Sequence, residues 1–433
     1  MNIADYVSIV EKTDQLDPRA PIDKNFKLIP VLGLAGEIGS LLTELKKRVR
    51  EPNRSDDIGS KRIDEELGDI TWYAATISRR AGLNFAKDVL RANLQRIKQD
   101  PEGYLAARGA KSASGTDHSK GILPNIETFG EYQINAAKSD AFEGDTAALL
   151  PYLAKIWKNS SDLLAELDSD SATFSPEETK EMAKTLGDVM WYVAGFATLF
   201  GLDLGTIAKN NVVKAQSMFM PKDERVHTPL FDERFNSLER FPRVFDVHFV
   251  STNEETAAMM LNGIRLGDPL RDNAYVGKDG LSDGYRFHDS VHLTLVAVLG
   301  WSPVIRGWMK RKRKSDGKVD DAEDGARAQI VEEMIVKLSH SYAVSIHREK
   351  LLDGRTGISM DLLKQIKVLT AGLEVDECKL WEWEKALLLG YEIFNKLRHH
   401  KGGRVRLDLN KRAITFHAAK GDEGKQFPSP AVV

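Results

Sequence analysis

The chain has 433 residues, enough for roughly two to four domains, and its apolar and charged fractions are those of a globular protein. Its 61 Lys and Arg residues balance 64 Asp and Glu residues, which excludes a strongly basic nucleic-acid coat and disfavours nucleic acid as a partner. The single cysteine, Cys378, excludes an internal disulfide framework. Because no secretory signal and no uninterrupted apolar run of about 18 residues is present, we expect a cytoplasmic protein without membrane contact.

The first 228 residues contain a repeat. Residues 67–73 read Leu-Gly-Asp-Ile-Thr-Trp-Tyr, and residues 186–192 read Leu-Gly-Asp-Val-Met-Trp-Tyr. Apolar residues at helical spacing predict four helices in each copy. Gly82 is placed to end the third helix of the first copy, and Ser175, followed by Pro176, is placed to begin its counterpart in the second.

Five carboxylates of the first copy fall on two predicted helices. Glu37 and Glu44 are seven residues apart and share one face of the second helix. The third helix carries Glu65, Glu66 and Asp69, and the last two, three residues apart, point the same way. Because acids that interrupt apolar stripes repel one another inside a bundle, a divalent cation fits them, and hard oxygen ligands favour Mg²⁺ or Mn²⁺ over zinc. The alternative is a solvated acidic face paired with nearby cations.

These residues resemble the MazG family of all-α nucleoside triphosphate pyrophosphohydrolases, whose motif is ExxE, a spacer and ExxD. The resemblance covers residues 28–98, from the stretch Gly33-Leu-Ala-Gly-Glu37 onward. It implies Mg²⁺-dependent conversion of a nucleoside triphosphate substrate, (d)NTP, to (d)NMP and pyrophosphate, with Glu37, Glu66 and Asp69 as metal ligands. Ser40 stands where the motif has its second Glu, and Glu44, one turn further along, is the candidate substitute.

The remaining candidate residues of the first copy complete this hypothesis. Glu65, Glu66, Asp69 and Glu37 form the candidate catalytic set, with Glu65 as a general base. Downstream, Asn93, Arg96 and Lys98 lie on one predicted helix and are expected to bind the polyphosphate of the substrate. The resemblance places Asn93 and Arg96 at the family's N-x-x-K position.

The second copy keeps the apolar pattern of the first and loses most of its acids. Asn159 stands at the Glu37 position and Thr185 at the Glu66 position. MazG-like folds assemble as dimers whose helices complete one another's bundle, so the resemblance implies that the two copies pair internally, and it also allows a homodimer. The alternative is that the second copy is an independent structural domain.

The C-terminal region carries a second group of candidate metal ligands. His288 and His292 are four residues apart on one predicted helix, beside Asp289, and Glu332 and Glu333 lie on another. Histidine and carboxylate ligands suit Zn²⁺, Mn²⁺ or Fe²⁺ better than Mg²⁺. The alternative is a buried hydrogen-bond network. Residues 241–374 resemble the C-terminal domain that accompanies some MazG-like proteins, and the basic run 310–314 is expected to form a solvated loop.

The expected fold is mainly α, with tandem four-helix MazG-like units of the all-α NTP pyrophosphatase type and a mostly helical C-terminal domain with a few short strands. The expected domains are residues 1–106, a linker at 107–123, a second unit at 124–228, the C-terminal domain at 229–418 and a flexible tail at 419–433. We predict strands at 245–251, 405–409 and 413–416.

Three functions fit this organisation. The first is Mg²⁺-dependent pyrophosphohydrolysis by the acids of the first copy. The second is a nucleotide-binding sensor whose site is weakened by Ser40. The third is a metal-dependent phosphohydrolase centred on His288 and His292. The sequence by itself leaves the three open.

Overall fold

The computed structural model describes residues 1–14, 23, 25–51, 56–100, 125–139, 150–165, 167–168, 171–253, 255–272, 284–347 and 350–418. The predicted linker at 107–123 and the predicted tail at 419–433 lie outside these residues. The described residues are mainly helical, which confirms the predicted fold class. They belong to two compact units, one from Met1 to Arg225 and one from Val226 onward.

The first unit is a bundle of helices. Its first repeat contains α1 (Ile3–Thr13), α2 (Asn25–Arg50), α3 (Asp56–Arg80) and a π-helical turn (Phe85–Arg91) that continues into α4 (Ala92–Gln99). Its second repeat contains α5 (Phe129–Ala137), α6 (Leu150–Ala165), α7 (Pro176–Leu199) and α8 (Leu204–Phe219).

The predicted helix ends of the first unit are confirmed. Gly82 follows α3 with a φ of 73°, a left-handed conformation that glycine adopts without the steric cost of a side chain. Ser175 caps α7, since its side chain accepts a hydrogen bond from the backbone N–H of Glu178, whose own side chain returns to the cap.

The two repeats share one hydrophobic core and exchange their fourth helices. Leu34 and Leu67 of the first repeat and Met190 of the second are fully buried in a single cluster. Helix α8 packs against α1 and α3 of the first repeat, whereas α4 and the π-helical turn pack against α7 of the second. Each repeat therefore receives its last helix from the other.

Helix α2 also meets the length and composition expected of a membrane span, and α7 with α8 would do so as one span bent by 109°. In this structure Ile38 and Leu41 of α2 are buried in the protein core, and the core helices of soluble bundles meet the same criterion. Glu37 and Glu44 interrupt the apolar stretch of α2. The absence of membrane contact stays a prediction.

The second unit combines a five-stranded antiparallel sheet with helices. Its strands are β1 (Val244–Ser251), β2 (Thr256–Leu261), β3 (Ile264–Arg271), β4 (Gly402–Asp408) and β5 (Ala413–His417), in the order β3-β2-β1-β4-β5. Its helices are α9 (Asp289–Leu299), α10 (Pro303–Trp308), α11 (Gly317–Ala322), α12 (Ala326–Ile346), α13 (Met360–Thr370) and α14 (Leu380–His400). The predicted strands β1, β4 and β5 are confirmed.

Helix α9 is the centre of the second unit. All of its residues are buried, and it packs closely on α14 and on β4 and β5. Gly390 of α14 permits this approach, because a Cβ there would lie 2.8 Å from the hydroxyl oxygen of Thr294. The N-terminal end of α9, which carries the predicted histidines, is thereby held in a fixed position.

The basic run at residues 310–314 is not simply a solvated loop. Arg313 is 1% exposed and binds both Asp324 and Glu374, with Nη2–oxygen distances of 2.7 Å. Two carboxylates offset the cost of burying the guanidinium group. The expectation of a solvated loop was wrong for Arg313, because the sequence did not show which acids would reach it.

Candidate functional site

Three of the predicted acids come together between α2 and α3. Glu37, Glu66 and Asp69 each offer a carboxylate oxygen, and these oxygens lie within 4.8 Å of one another. Burial raises the pKa of Glu66 to about 8, and the adjacent carboxylate of Glu37 and the charges of Asp69 and Glu65 add to the rise. Oxygen ligands crowded in this way suit a hard divalent cation, so the cluster fits Mg²⁺ or Mn²⁺.

The second repeat supplies two further residues to this cluster. Lys214 on α8 binds Glu65, with an Nζ–Oε1 distance of 2.8 Å, and also binds Asp69. Asn211, one turn earlier, donates from Nδ2 to Asp69 Oδ1 over 2.8 Å and accepts a hydrogen bond of 3.0 Å from the hydroxyl of Tyr6. The acids of one repeat and the amide and amine of the other therefore form one composite site.

The same network recurs at the second repeat with most of its acids missing. The hydroxyl of Tyr132 donates to Asn93 Oδ1 over 3.1 Å, and Asn93 Nδ2 lies 3.4 Å from Asp188 Oδ1. Arg96 also binds Asp188, at 3.2 Å. The structure thus places Asn93 and Arg96 at the carboxylate of the second repeat and not at the Glu37 cluster, where the sequence had suggested them.

Two other predicted residues lie outside the acidic cluster. Glu44 binds Lys47 and Arg62, and although burial alone would raise the pKa of its carboxyl, these two cations hold that pKa below its usual value. Glu44 therefore stays bound to cations of its own and is not among the described acids that converge on Glu37. Lys98 is exposed at the end of α4.

Residues Asn211 and Lys214 were not proposed for this site from the sequence. A signal for them exists, because Asn211-x-x-Lys214 has the N-x-x-K spacing and occupies the repeat position of Asn93 and Arg96. Tyr73 is a further neighbour of the cluster, and burial and then the charges of Glu37 and Asp69 raise the pKa of its phenol.

A small residue in α2 makes room for Tyr73. A Cβ added at Gly33 would lie 2.2 Å from the ring of Tyr73, closer than any real contact. Glycine at this position therefore lets the ring pack closely against α2, one turn before Glu37. This packing fixes the spacing between the two helices that carry the acids.

A second cluster lies at the N-terminal end of α9. His288, Asp289 and His292 are all buried, and one ligand atom from each lies within 4.8 Å of the other two. His292 Nδ1 lies 2.7 Å from Glu332 Oε1, and its Nε2 lies 3.7 Å from Glu333 Oε1. All five residues predicted here are thus brought together.

The electrostatics of this second cluster are those of buried, interacting groups. Burial lowers the pKa of His288 and raises that of Asp289. For His292, burial alone would lower the pKa, but Glu332, Glu333 and Asp289 outweigh it and raise the pKa to about 10. The acids around His292 therefore demand a positive charge between them.

Comparison with known proteins gives one match. Residues 226–420 match the family model of the MazG C-terminal domain. Neither a curated protein nor a solved structure matches the chain significantly. The matched segment contains the second cluster and excludes the composite site.

Proposed function

We propose that this chain, whose residues 226–420 match the MazG C-terminal domain, is a MazG-like protein that hydrolyses a nucleoside triphosphate to a monophosphate and pyrophosphate. The composite site of the first unit performs the reaction. Mg²⁺ or Mn²⁺ is the expected cofactor, and the cytoplasm is the expected compartment. The resemblance of residues 28–98 to the MazG motif and the convergence of three motif acids support this proposal.

One observation carries the proposal. Glu37, Glu66 and Asp69, which match the motif positions, bring their oxygens within 4.8 Å although the charges of the three carboxylates repel one another. A solvated acidic face would spread these charges apart. Glu37 lies on a different helix from the other two acids, 29 residues before Glu66 and 32 residues before Asp69 in the sequence. Their approach is the arrangement that a cation-binding function requires.

The residues of the composite site have distinct roles in this proposal. Glu37, Glu66 and Asp69 hold the cation, which would neutralise phosphate oxygens and lower the pKa of a bound water. Lys214 binds Glu65 beside the cluster and holds it in place, and Glu65 is the base that accepts a proton from the attacking water. Asn211 orients Asp69 through its amide. Positioning and charge neutralisation are the main contributions that phosphoryl transfer needs from a protein.

The test is pyrophosphate release from a panel of NTPs and dNTPs with Mg²⁺ or Mn²⁺. We expect release by the wild type and a loss of at least about 100-fold in Glu66→Gln, which keeps the shape of the side chain and removes the carboxylate that would hold the cation. Asp188→Asn is the matched control, because Asp188 is the acid at the Asp69 position of the second repeat. It should retain activity within about threefold.

Two results would contradict the proposal. Equal release by the wild type and Glu66→Gln would remove the reaction from the acidic cluster. Absence of release from the wild type, with nucleotide still bound in equilibrium dialysis, would replace hydrolysis by nucleotide sensing, the function that Ser40 favours. Melting temperatures of both variants establish that they are folded.

A further inference from the structure

We propose that His288, Asp289 and His292, together with Glu333, bind one divalent transition-metal ion in the second unit. This site is independent of the composite site and of the proposed hydrolysis, and the family match does not assign it. The argument depends on the direction of the imidazole nitrogens, on burial and on an adjoining cavity.

Both histidines are oriented as metal ligands usually are. His288 Nδ1 lies 3.0 Å from the backbone oxygen of Tyr285, and His292 Nδ1 lies 2.7 Å from Glu332 Oε1. An oxygen that can only accept fixes a proton on Nδ1 in each ring, so Nε2 is the nitrogen left for a metal, which would displace the proton that the acids around His292 favour there. Metal-bound histidines show this pattern, with the second nitrogen donating to a carbonyl or carboxylate.

The two histidines share one neighbouring carboxylate. His288 Nε2 lies 3.3 Å from Asp289 Oδ1, and one ring nitrogen of His292 lies within 4.8 Å of a ligand atom of His288 and of Asp289. Among the described residues, His292 Nε2 and Asp289 Oδ1 have no hydrogen-bond partner, although both are buried. Leaving buried polar atoms unsatisfied is unfavourable, and an ion bound at this point would remove that cost.

Glu332 has a supporting role and Glu333 a binding role. Glu332 is fully buried and accepts hydrogen bonds from the hydroxyl of Ser302 and the backbone N–H of Val304 as well as from His292. It ties the imidazole of His292 to the start of α10. Glu333 Oε1 lies 3.7 Å from His292 Nε2, and its half-exposed carboxylate is free to move onto an ion.

A cavity leaves one side of the cluster open. A space of about 110 Å³ is lined by His288 and Glu333 together with Tyr285 and His340. This volume holds a few water molecules. Two imidazoles, two carboxylates and room for water form a set that suits Zn²⁺, Mn²⁺ or Fe²⁺ and disfavours Mg²⁺.

The experiment titrates the chelator-treated full-length protein with Co²⁺, whose visible absorption reports nitrogen and oxygen ligands. Zn²⁺ content is measured separately by mass spectrometry after gel filtration. We expect one equivalent of retained Zn²⁺ and a Co²⁺ band, both unchanged in Glu66→Gln, which disables only the acidic cluster of the first unit. Asp289→Asn and His292→Gln should lose the retained ion, and Glu332→Gln should weaken binding about 10–100-fold.

Folding defects are separated from ligand loss by two further measurements. Glu333→Gln changes a half-exposed side chain, so its near-ultraviolet circular dichroism should match that of the wild type while its Co²⁺ affinity falls at least about tenfold. His400→Gln, on the exposed end of α14, is the matched control and should bind Co²⁺ as the wild type does. The proposal is overturned if the wild type retains no transition metal, or if Asp289→Asn and Glu333→Gln bind Co²⁺ with unchanged affinity.

Discussion

The exchange of the fourth helices makes a sharp prediction about Lys214 and Arg96. These residues occupy the same position in the two repeats, but Lys214 binds the acids of the first repeat and Arg96 binds Asp188 of the second. We expect Lys214→Met to impair hydrolysis and Arg96→Met to leave it nearly unchanged. The sequence alone had suggested that Arg96 binds the polyphosphate of the substrate.

The magnitude follows from the contact between Lys214 and Glu65. At 2.8 Å the attraction of two unit charges is about 1.5 kcal/mol in bulk water and about 6 kcal/mol at an effective dielectric constant of about 20. Because the Lys214 side chain is 26% exposed, hydration offsets part of this, and a net loss of about 2–3 kcal/mol remains. If the transition state loses this much stabilisation, the rate falls roughly 30–150-fold.

The assay is kcat/KM for pyrophosphate release by both variants, measured with saturating Mg²⁺. Melting temperatures and circular dichroism confirm that both variants are folded. The reasoning is refuted if Arg96→Met loses as much activity as Lys214→Met, since the helices would then serve their own repeats. It is also refuted if Lys214→Met retains full activity.

Two stability predictions concern the contacts between the repeats. A Cβ at Gly187 would lie 3.0 Å from the Cβ of Asn93, whereas nothing described lies within 4 Å of a Cβ at Gly36. In urea unfolding, the Gly187→Ala variant should therefore be less stable than the Gly36→Ala control by about 1–3 kcal/mol. Lys27 binds Glu178 at 2.8 Å and, despite burial, helps to hold the pKa of that carboxyl below its usual value. Glu178→Gln should therefore lower the free energy of unfolding by about 1–3 kcal/mol at pH 7, and this difference from the wild type should shrink as the pH falls below about 4.3. A difference that stays constant from pH 7 to pH 3 would contradict the assignment.

Much of the helical framework could be predicted from local sequence. Helical periodicity, the cap at Ser175 and the terminating Gly82 gave the positions of the helices, because these signals act within a few residues of the chain. The approach of Glu66 and Asp69 also followed from their spacing of three residues on one helix. In contrast, the two stretches that form β2 and β3 were missed.

The missed hairpin illustrates why. Residues 256–261 do not alternate between apolar and polar, so the strand pattern was weak. The turn signal was nevertheless present, since Asn262-Gly263 is a favoured two-residue hairpin loop and both residues have positive φ angles, 51° and 79°. Giving more weight to the turn than to the strand pattern would have found it.

The assignment of Asn93 and Arg96 differs from the structure for another reason. Periodicity shows which residues share a helix face, but it does not show which helix that face will meet. The two repeats present nearly equivalent faces, so only the three-dimensional arrangement reveals that α8 crosses to the first repeat. Glu44 lies apart from the cluster and binds Lys47 and Arg62 instead. Because Arg62 is 18 residues away in the sequence, helical periodicity does not reveal this contact.

The covalent connection between the repeats has a consequence for concentration. In a pair of separate subunits that exchange helices, dilution would dissociate the partners and destroy both sites. Here the second repeat is tethered to the first, so its effective concentration stays in the range of about millimolar or above however dilute the protein is. A symmetric pair would also carry two equal sites, whereas fusion allows one half to change its acids without affecting the other. Asn159 and Thr185, at the positions of Glu37 and Glu66, are the kind of substitution that such freedom permits.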